Sequence, residues 1–357
     1  MHSTLELSEL HDHVGRLFMA GMPGPRLDAG TISLIRDRGL GGVILFKRNI
    51  EDPLQVAALT NDLQETAMKY HGIPLFLAVD QEGGRVARLR EPFTLFPGNS
   101  AIGHGPDSHD MAARFGRVSA MEMRLVGLNM NMAPVLDVPR GPVDQHLQGR
   151  MFGEDPGLVG RLGRIVVKAL QENGVMAVGK HFPGLGKARL DPHEHLPTIE
   201  ADQQEIETIN LPPFQDAIGE RVSAIMTSHA IYPGLDPRHP ATLSYAIITE
   251  LLRDRLGFQE LIITDDLEMG AIKKDPGVPE GAVRAFEAGN DILLICEDQG
   301  LVRESMDKLR NRLLTNEALL SRLHESVGRI MAAKEKFLRG WEPASLKKVE
   351  RYFKDKA

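Results

Sequence analysis

Short apolar runs separated by longer amphipathic stretches organise this chain. The runs cover residues 17–21, 41–46, 75–80, 128–137, 175–181, 224–229, 261–265 and 291–296. Each is nearly continuous in apolar side chains, as strands buried on both faces are. Helix-like segments lie between them, among them 53–70, 109–126, 156–174, 247–256 and 279–288. Alternating βα units predict a parallel sheet covered by helices. Eight such units predict a closed (β/α)8 TIM-type barrel in a single domain over residues 1–340; a doubly wound open sheet is the rival arrangement. Residues 319–336 predict a long helix. Residues 341–357 form a charged tail ending in Lys354-Asp355-Lys356-Ala357.

Polar residues gather at the ends of the apolar runs. Asp80, Asp137, Lys180-His181, His229 and Asp265-Asp266 each close or follow one. In a barrel these are the ends from which active sites are built. Any single Asp there could instead cap the following helix. The densest stretch is Lys180-His181-Phe182-Pro183-Gly184, followed by Asp191-Pro192-His193. Pro192 biases Asp191 towards extended backbone, and in an extended segment residues i and i+2 share a side. Asp191 and His193 would then meet, and a carboxylate that orients an imidazole is a working acid/base unit. The alternative is a surface Asp–His pair in a polar loop.

Composition narrows the classes. Hydrophobic residues make up 42% and charged residues 25%, ordinary for a globular protein. The net charge of −7 and the absence of a basic stripe argue against nucleic acid as a partner. The one cysteine, Cys296, sits in an apolar run and reads as buried, with no disulfide framework or cysteine metal site. Met1-His2-Ser3-Thr4-Leu5-Glu6 has no positive region followed by an apolar one, so no secretory signal is read. No run approaches the ~20 apolar residues of a membrane span. A cytoplasmic enzyme with no membrane partner is the expectation. Asp191, His193 and His195 look ligand-like, as do His11 and His13. A lone Asp/His group without a second metal-spaced cluster is a weak metal signal, so neither metal nor cofactor is expected.

Seven motifs in order then resemble glycoside hydrolase family 3, in its single-domain β-N-acetylglucosaminidase branch. Two are those around Lys180 and His193. The others are Gly41-Gly42-Val43-Ile44-Leu45-Phe46, Val79-Asp80-Gln81-Glu82-Gly83-Gly84-Arg85-Val86, Asn131-Met132-Ala133-Pro134-Val135-Leu136-Asp137-Val138, Arg150-Met151-Phe152-Gly153-Glu154-Asp155-Pro156 and Ile263-Thr264-Asp265-Asp266-Leu267-Glu268-Met269. The resemblance implies that Asp265 is the nucleophile, His193 the general acid/base and Asp191 its partner. It implies that Asp80, Arg88, Arg150, Lys180 and His181 hold the sugar. It implies a small carbohydrate partner, an N-acetylglucosamine glycoside or muropeptide, cleaved with retention in cell-wall recycling. Alternation along a strand lets only one of Asp265 and Asp266 face the site; the resemblance selects Asp265.

One departure bears on this. Where the family usually carries His-Gly and a variable pair after Lys-His-Phe-Pro-Gly, this chain has Leu185-Gly186-Lys187-Ala188. Lys187 would either attract an anionic leaving group or be a solvated loop lysine. A phosphorylase, in which phosphate attacks the glycosyl ester, a sugar-binding relic with a disturbed loop and a metal hydrolase stand as rival functions.

Overall fold

The computed structural model describes residues 7–141, 144–191 and 194–356, with side chains from residue 10 onward. Eight parallel strands close into one barrel: β1 (Phe18–Gly21), β2 (Gly42–Leu45), β3 (Phe76–Val79), β4 (Met130–Asn131), β5 (Met176–Phe182), β6 (Ala224–Thr227), β7 (Leu261–Asp266) and β8 (Ile292–Ile295). Each pairs with its sequence neighbours. Closure comes from β1 against β8, with Phe18 opposite Leu293 and Met19 opposite Leu294. That pairing removes the open-sheet alternative. Every residue of these strands is buried except Asp265 and Asp266, which emerge partly at the end of β7.

Helices follow each strand: α1 (Ala29–Arg38), α2 (Pro53–His71), α3 (Ser108–Leu125), α4 (Pro156–Glu172), α5 (Leu211–Gly219), α6 (Ala246–Arg255, wound with π-type turns), α7 (Val278–Ala288) and α8 (Gln299–Leu314). Their starts are chemically marked. Asp28, Asp52, Asp155 and Asp298 accept the first free amides of α1, α2, α4 and α8, and Pro53 and Pro156 stand within the first turns of α2 and α4. The capping aspartates are thus not those at the strand ends. Asp80, Asp137, Asp265 and Asp266 bond elsewhere, and the capping alternative does not hold for them.

The fourth strand is shorter than the predicted run of 128–137. Pro134 lacks an amide and interrupts the ladder. Beyond it the chain keeps contact with β5 through single bonds, from Lys180 N to Pro134 O (3.1 Å) and from Leu136 N to Lys180 O (2.6 Å).

Two further helices follow the barrel in the chain. α9 (Glu317–Leu338) covers the N-terminal face of the barrel, where its buried Lys334 donates to the carbonyls of Gly41 (2.9 Å) and Pro74 (2.7 Å). The charged stretch after Trp341 contains a docked helix, α10 (Leu346–Lys356). Its Phe353 ring lies 4.7 Å from Phe93, and Tyr352 bonds Glu122 at 3.0 Å. Among the described residues no helix is long and apolar enough to cross a membrane.

Candidate active site

The C-terminal ends of the strands surround a cavity of about 510 Å³. One wall is a buried ionic cluster. Lys180, near the end of β5, places Nζ 2.8 Å from Asp80 Oδ1 and 2.7 Å from Glu82 Oε1. Arg150 grips Glu82 with two parallel bonds, Nε and Nη2 each at 2.8 Å. Arg88 Nη2 lies 3.6 Å from the other Asp80 oxygen. Burial by itself would raise the Glu82 carboxyl, but Lys180 and Arg150 outweigh it and hold the group far below the usual carboxylate range. Burial would likewise strip the proton from Lys180, and Asp80 and Glu82 keep it on. The result is a rigid set of charged donors and acceptors, with Asp80, Arg88, Arg150 and Lys180 all lining the cavity. Fixed polar groups of this kind suit the hydroxyls of a sugar.

His181 lines the cavity beside Lys180. Its Nδ1 is 2.7 Å from Asp137 Oδ2, and the other Asp137 oxygen accepts the amides of His181 (3.2 Å) and Leu185 (2.7 Å). Desolvation pushes the Asp137 carboxyl up, yet His181 and these amides bring it below its ordinary value. Asp137 is therefore the carboxylate that orients His181. His229 also works from behind: its Nε2 is 2.9 Å from the Asp266 carbonyl and its Nδ1 2.8 Å from Thr242 Oγ1.

At β7 the expected alternation fails. The pairing of β7 with β8 shifts between Ile263 and Asp266, and both Asp265 and Asp266 border the cavity. Their bonding separates them. Asp266 accepts the amides of Glu268 (3.0 Å) and Cys296 (3.2 Å). Burial, added to by the nearby Glu268 and Asp265 charges, raises its pKa to about 7. Asp265 accepts the amide of Asp266 at 2.8 Å. Cys296 lies at the cavity edge, its thiol pushed up by burial and the neighbouring carboxylates, so it is no nucleophile.

A barrel whose seventh strand ends in an aspartate pair, facing a Lys-His pair at the fifth and an Asp-x-Glu at the third, matches a known model. The glycosyl hydrolase family 3 N terminal domain aligns with residues 9–333. The chain belongs to that family. Beta-hexosaminidase A of Pseudoalteromonas piscicida is 37% identical over 85% of this chain, which spans 54% of that relative. A beta-hexosaminidase of Alkalilimnicola ehrlichii is 37% identical, with 86% of this chain and 88% of the relative aligned. Among solved structures, a family 3 β-N-acetylglucosaminidase from Paenibacillus sp. str. FPU-7 superposes with a TM-score of 0.89 at 36% identity, covering 99% of this chain and 69% of that one.

The remaining predicted residues lie on the loop after β5. His193 lies outside the described residues. Asp191 is partly exposed, and its Oδ1 stands 3.9 Å from His146 Nδ1. His195 is exposed and does not border the cavity. Among the described residues, Asp144, His146 and Asp191 bring three ligand-type atoms within 4.8 Å of one another, a different trio from the one the sequence suggests.

The loop that departs from the usual family 3 pattern is well packed. Leu185 is buried and forms cavity wall, and Ala188 is buried as well. Lys187 Nζ bonds Glu205 Oε2 (2.7 Å) and the Glu200 carbonyl (2.6 Å) and does not line the cavity. It ties the loop after β5 to the segment that holds Glu200 and Glu205.

Glu82 and His146 join the site without being among the residues expected there, and Asp137 takes the specific part of orienting His181. Glu82 had a signal, since it stands two residues after Asp80 and shares its side of the chain. Asp137 was visible as a strand-end residue. His146 had no such signal, because it sits in a long loop.

Proposed function

We propose that this family 3 protein hydrolyses terminal β-linked N-acetylglucosamine by a two-step retaining mechanism. The carrying observation is that Asp265 borders the same cavity as the fixed Asp80, Arg88, Arg150, Lys180 and His181. Asp80 and Lys180 hold the sugar hydroxyls while the Glu82–Arg150 pair keeps them in place. The Asp265 carboxylate attacks the anomeric carbon as the glycosidic C–O bond breaks, giving a glycosyl ester. His193, oriented by Asp191, gives its proton to the departing oxygen, then takes one from the water that cleaves the ester. Histidine titrates near ~6.5 when unperturbed, which suits both roles near neutrality. The similarity to beta-hexosaminidases and to a β-N-acetylglucosaminidase supports the choice of sugar, and we assign the activity to muropeptide turnover in the cytoplasm.

The test is an assay on a panel of 4-nitrophenyl β-glycosides with and without phosphate, following the anomeric configuration of the first product by NMR. Cleavage of the N-acetylglucosaminide to the β-anomer of the free sugar is expected. Sugar 1-phosphate as product would establish the phosphorylase instead, an α-anomer first product would overturn retention, and binding without turnover would establish a relic.

A further inference from the structure

The loops that rise from β4 and β5 run side by side at the mouth of the barrel. The Arg140 amide donates to Gly186 O (3.1 Å) and the Asp144 amide to Ala188 O (2.9 Å). They approach so closely that a Cβ on Gly186 would lie 1.9 Å from the Val138 carbonyl oxygen, which is why only glycine fits there. The pairing leads to a side-chain contact. His146 Nδ1 stands 2.7 Å from Asp144 Oδ1 and 3.9 Å from Asp191 Oδ1. The same Asp144 oxygen takes the His146 amide at 2.9 Å, so backbone and ring are fixed by one carboxylate. A histidine whose Nδ1–H is given to a carboxylate has one tautomer and one ring orientation. Here that orientation turns the Nδ1 edge towards Asp191, while the ring itself borders the cavity. On the other flank, Lys187 ties the β5 loop to Glu205. The segment leading to Asp191 is thus flanked on both sides, with His146 beside its end.

We propose that His146 is a positioning residue: anchored by Asp144, it sets where Asp191 stands, and so acts on the acid/base step to which Asp191 is assigned. The inference rests on the reading of Asp191 and His193 as the acid/base pair. Arg150 Nη1 joins the sugar-side cluster to this loop through the His146 carbonyl (3.3 Å), a backbone contact that a side-chain substitution leaves in place, so displacing the pair weakens proton delivery to the leaving group more than sugar binding.

The experiment compares wild type with His146→Ala, His146→Asn and Asp144→Asn on two aryl β-N-acetylglucosaminides, one with an activated and one with a poor leaving group. Amide hydrogen exchange of residues 184–191 is measured on the same proteins. His146→Ala should lower kcat on the poor leaving group by about tenfold or more, change KM little, and affect the activated substrate less. Asn carries an N–H close to where Nδ1 stands, so His146→Asn should recover most of the loss, and it keeps the test available if the alanine variant does not fold. Exchange in 184–191 should quicken in His146→Ala and Asp144→Asn. Equal losses on both substrates, a rise in KM alone, failure of Asn to recover the rate, or unchanged exchange would each overturn the proposal. Wild-type-like rates in His193→Ala would overturn the acid/base reading instead, and the exchange result stands apart from that outcome.

Discussion

Asp265 Oδ1 accepts the backbone amide of Asp266 at 2.8 Å, while the Asp266 carboxylate turns to the amides of Glu268 and Cys296. Two adjacent aspartates at one cavity are thereby given different work. One, at the cavity edge, accepts the amide of its neighbour. The other links the turn after β7 to the end of β8 and holds its proton up to about pH 7.

Asp265→Ala should therefore abolish turnover, by about a thousandfold or more, with the fold intact. Asp266→Asn keeps an acceptor for both amides and should stay within about tenfold of wild type. Rates on an activated aryl glycoside, with circular dichroism alongside, check both. Loss of activity confined to the Asp266 variant would reverse the assignment.

Asp266 also carries a stability signature. Its folded pKa is raised to about 7, above its unfolded value. Between roughly pH 4 and 7 the native state holds a proton that the unfolded chain has released, so this group's contribution falls as pH rises through that window. Asp266→Asn removes the titration. Its stability relative to wild type should grow by up to about 4 kcal/mol from pH 4 to pH 8. Urea unfolding at both pH values measures it, and a constant difference would show that Asp266 is not strained by burial.

Much of this was written in the chain. Near-continuous apolar runs gave the strands because both faces of a barrel strand are buried. The strand-end polar residues marked the site because these are the open ends of the barrel. What periodicity could not supply was the irregular backbone. Pro134 shortened β4, and a register shift put both Asp265 and Asp266 at the cavity. Nor could spacing foresee pairings made across loops. Glu82 meets Lys180 and Arg150, and Lys187 meets Glu205, through contacts distant in sequence. The charge of residues 341–357 was plain, but the docking of Phe353 beside Phe93 depends on a tertiary surface.

Glu82 should matter for stability as well as binding. It is fully buried between two cations, and its removal leaves Lys180 and Arg150 short of a partner. Glu82→Gln should cost about 3–5 kcal/mol at pH 7 and raise KM for the sugar. Because the folded pKa is depressed, the stabilisation is complete above the unfolded value near ~4.3 and declines as pH falls below it. The gap between variant and wild type should narrow on acidification, as read by denaturant unfolding. A gap independent of pH would mean that shape, not charge, is what Glu82 supplies.

Lys187 gives the last prediction. Its ammonium bonds Glu205 and the Glu200 carbonyl and lies away from the cavity lining, with both side chains of the ion pair about a quarter exposed. A pair so placed is worth at most about 1 kcal/mol and weakens with salt. Lys187→Ala and Glu205→Ala should each lower stability slightly, and the double variant should lose less than their sum. Lys187→Asp should lose somewhat more, since it sets two carboxylates together. Kinetically, each variant should act alike on a neutral aryl glycoside and on a substrate whose leaving group is a muramyl acid, because no charge is removed from the cavity. Kd or KM for both substrates at low and high ionic strength is the measurement. A selective, salt-sensitive loss on the anionic substrate would mean that Lys187 leaves Glu205 to meet the leaving group, and the loop tie would then be only one of its states.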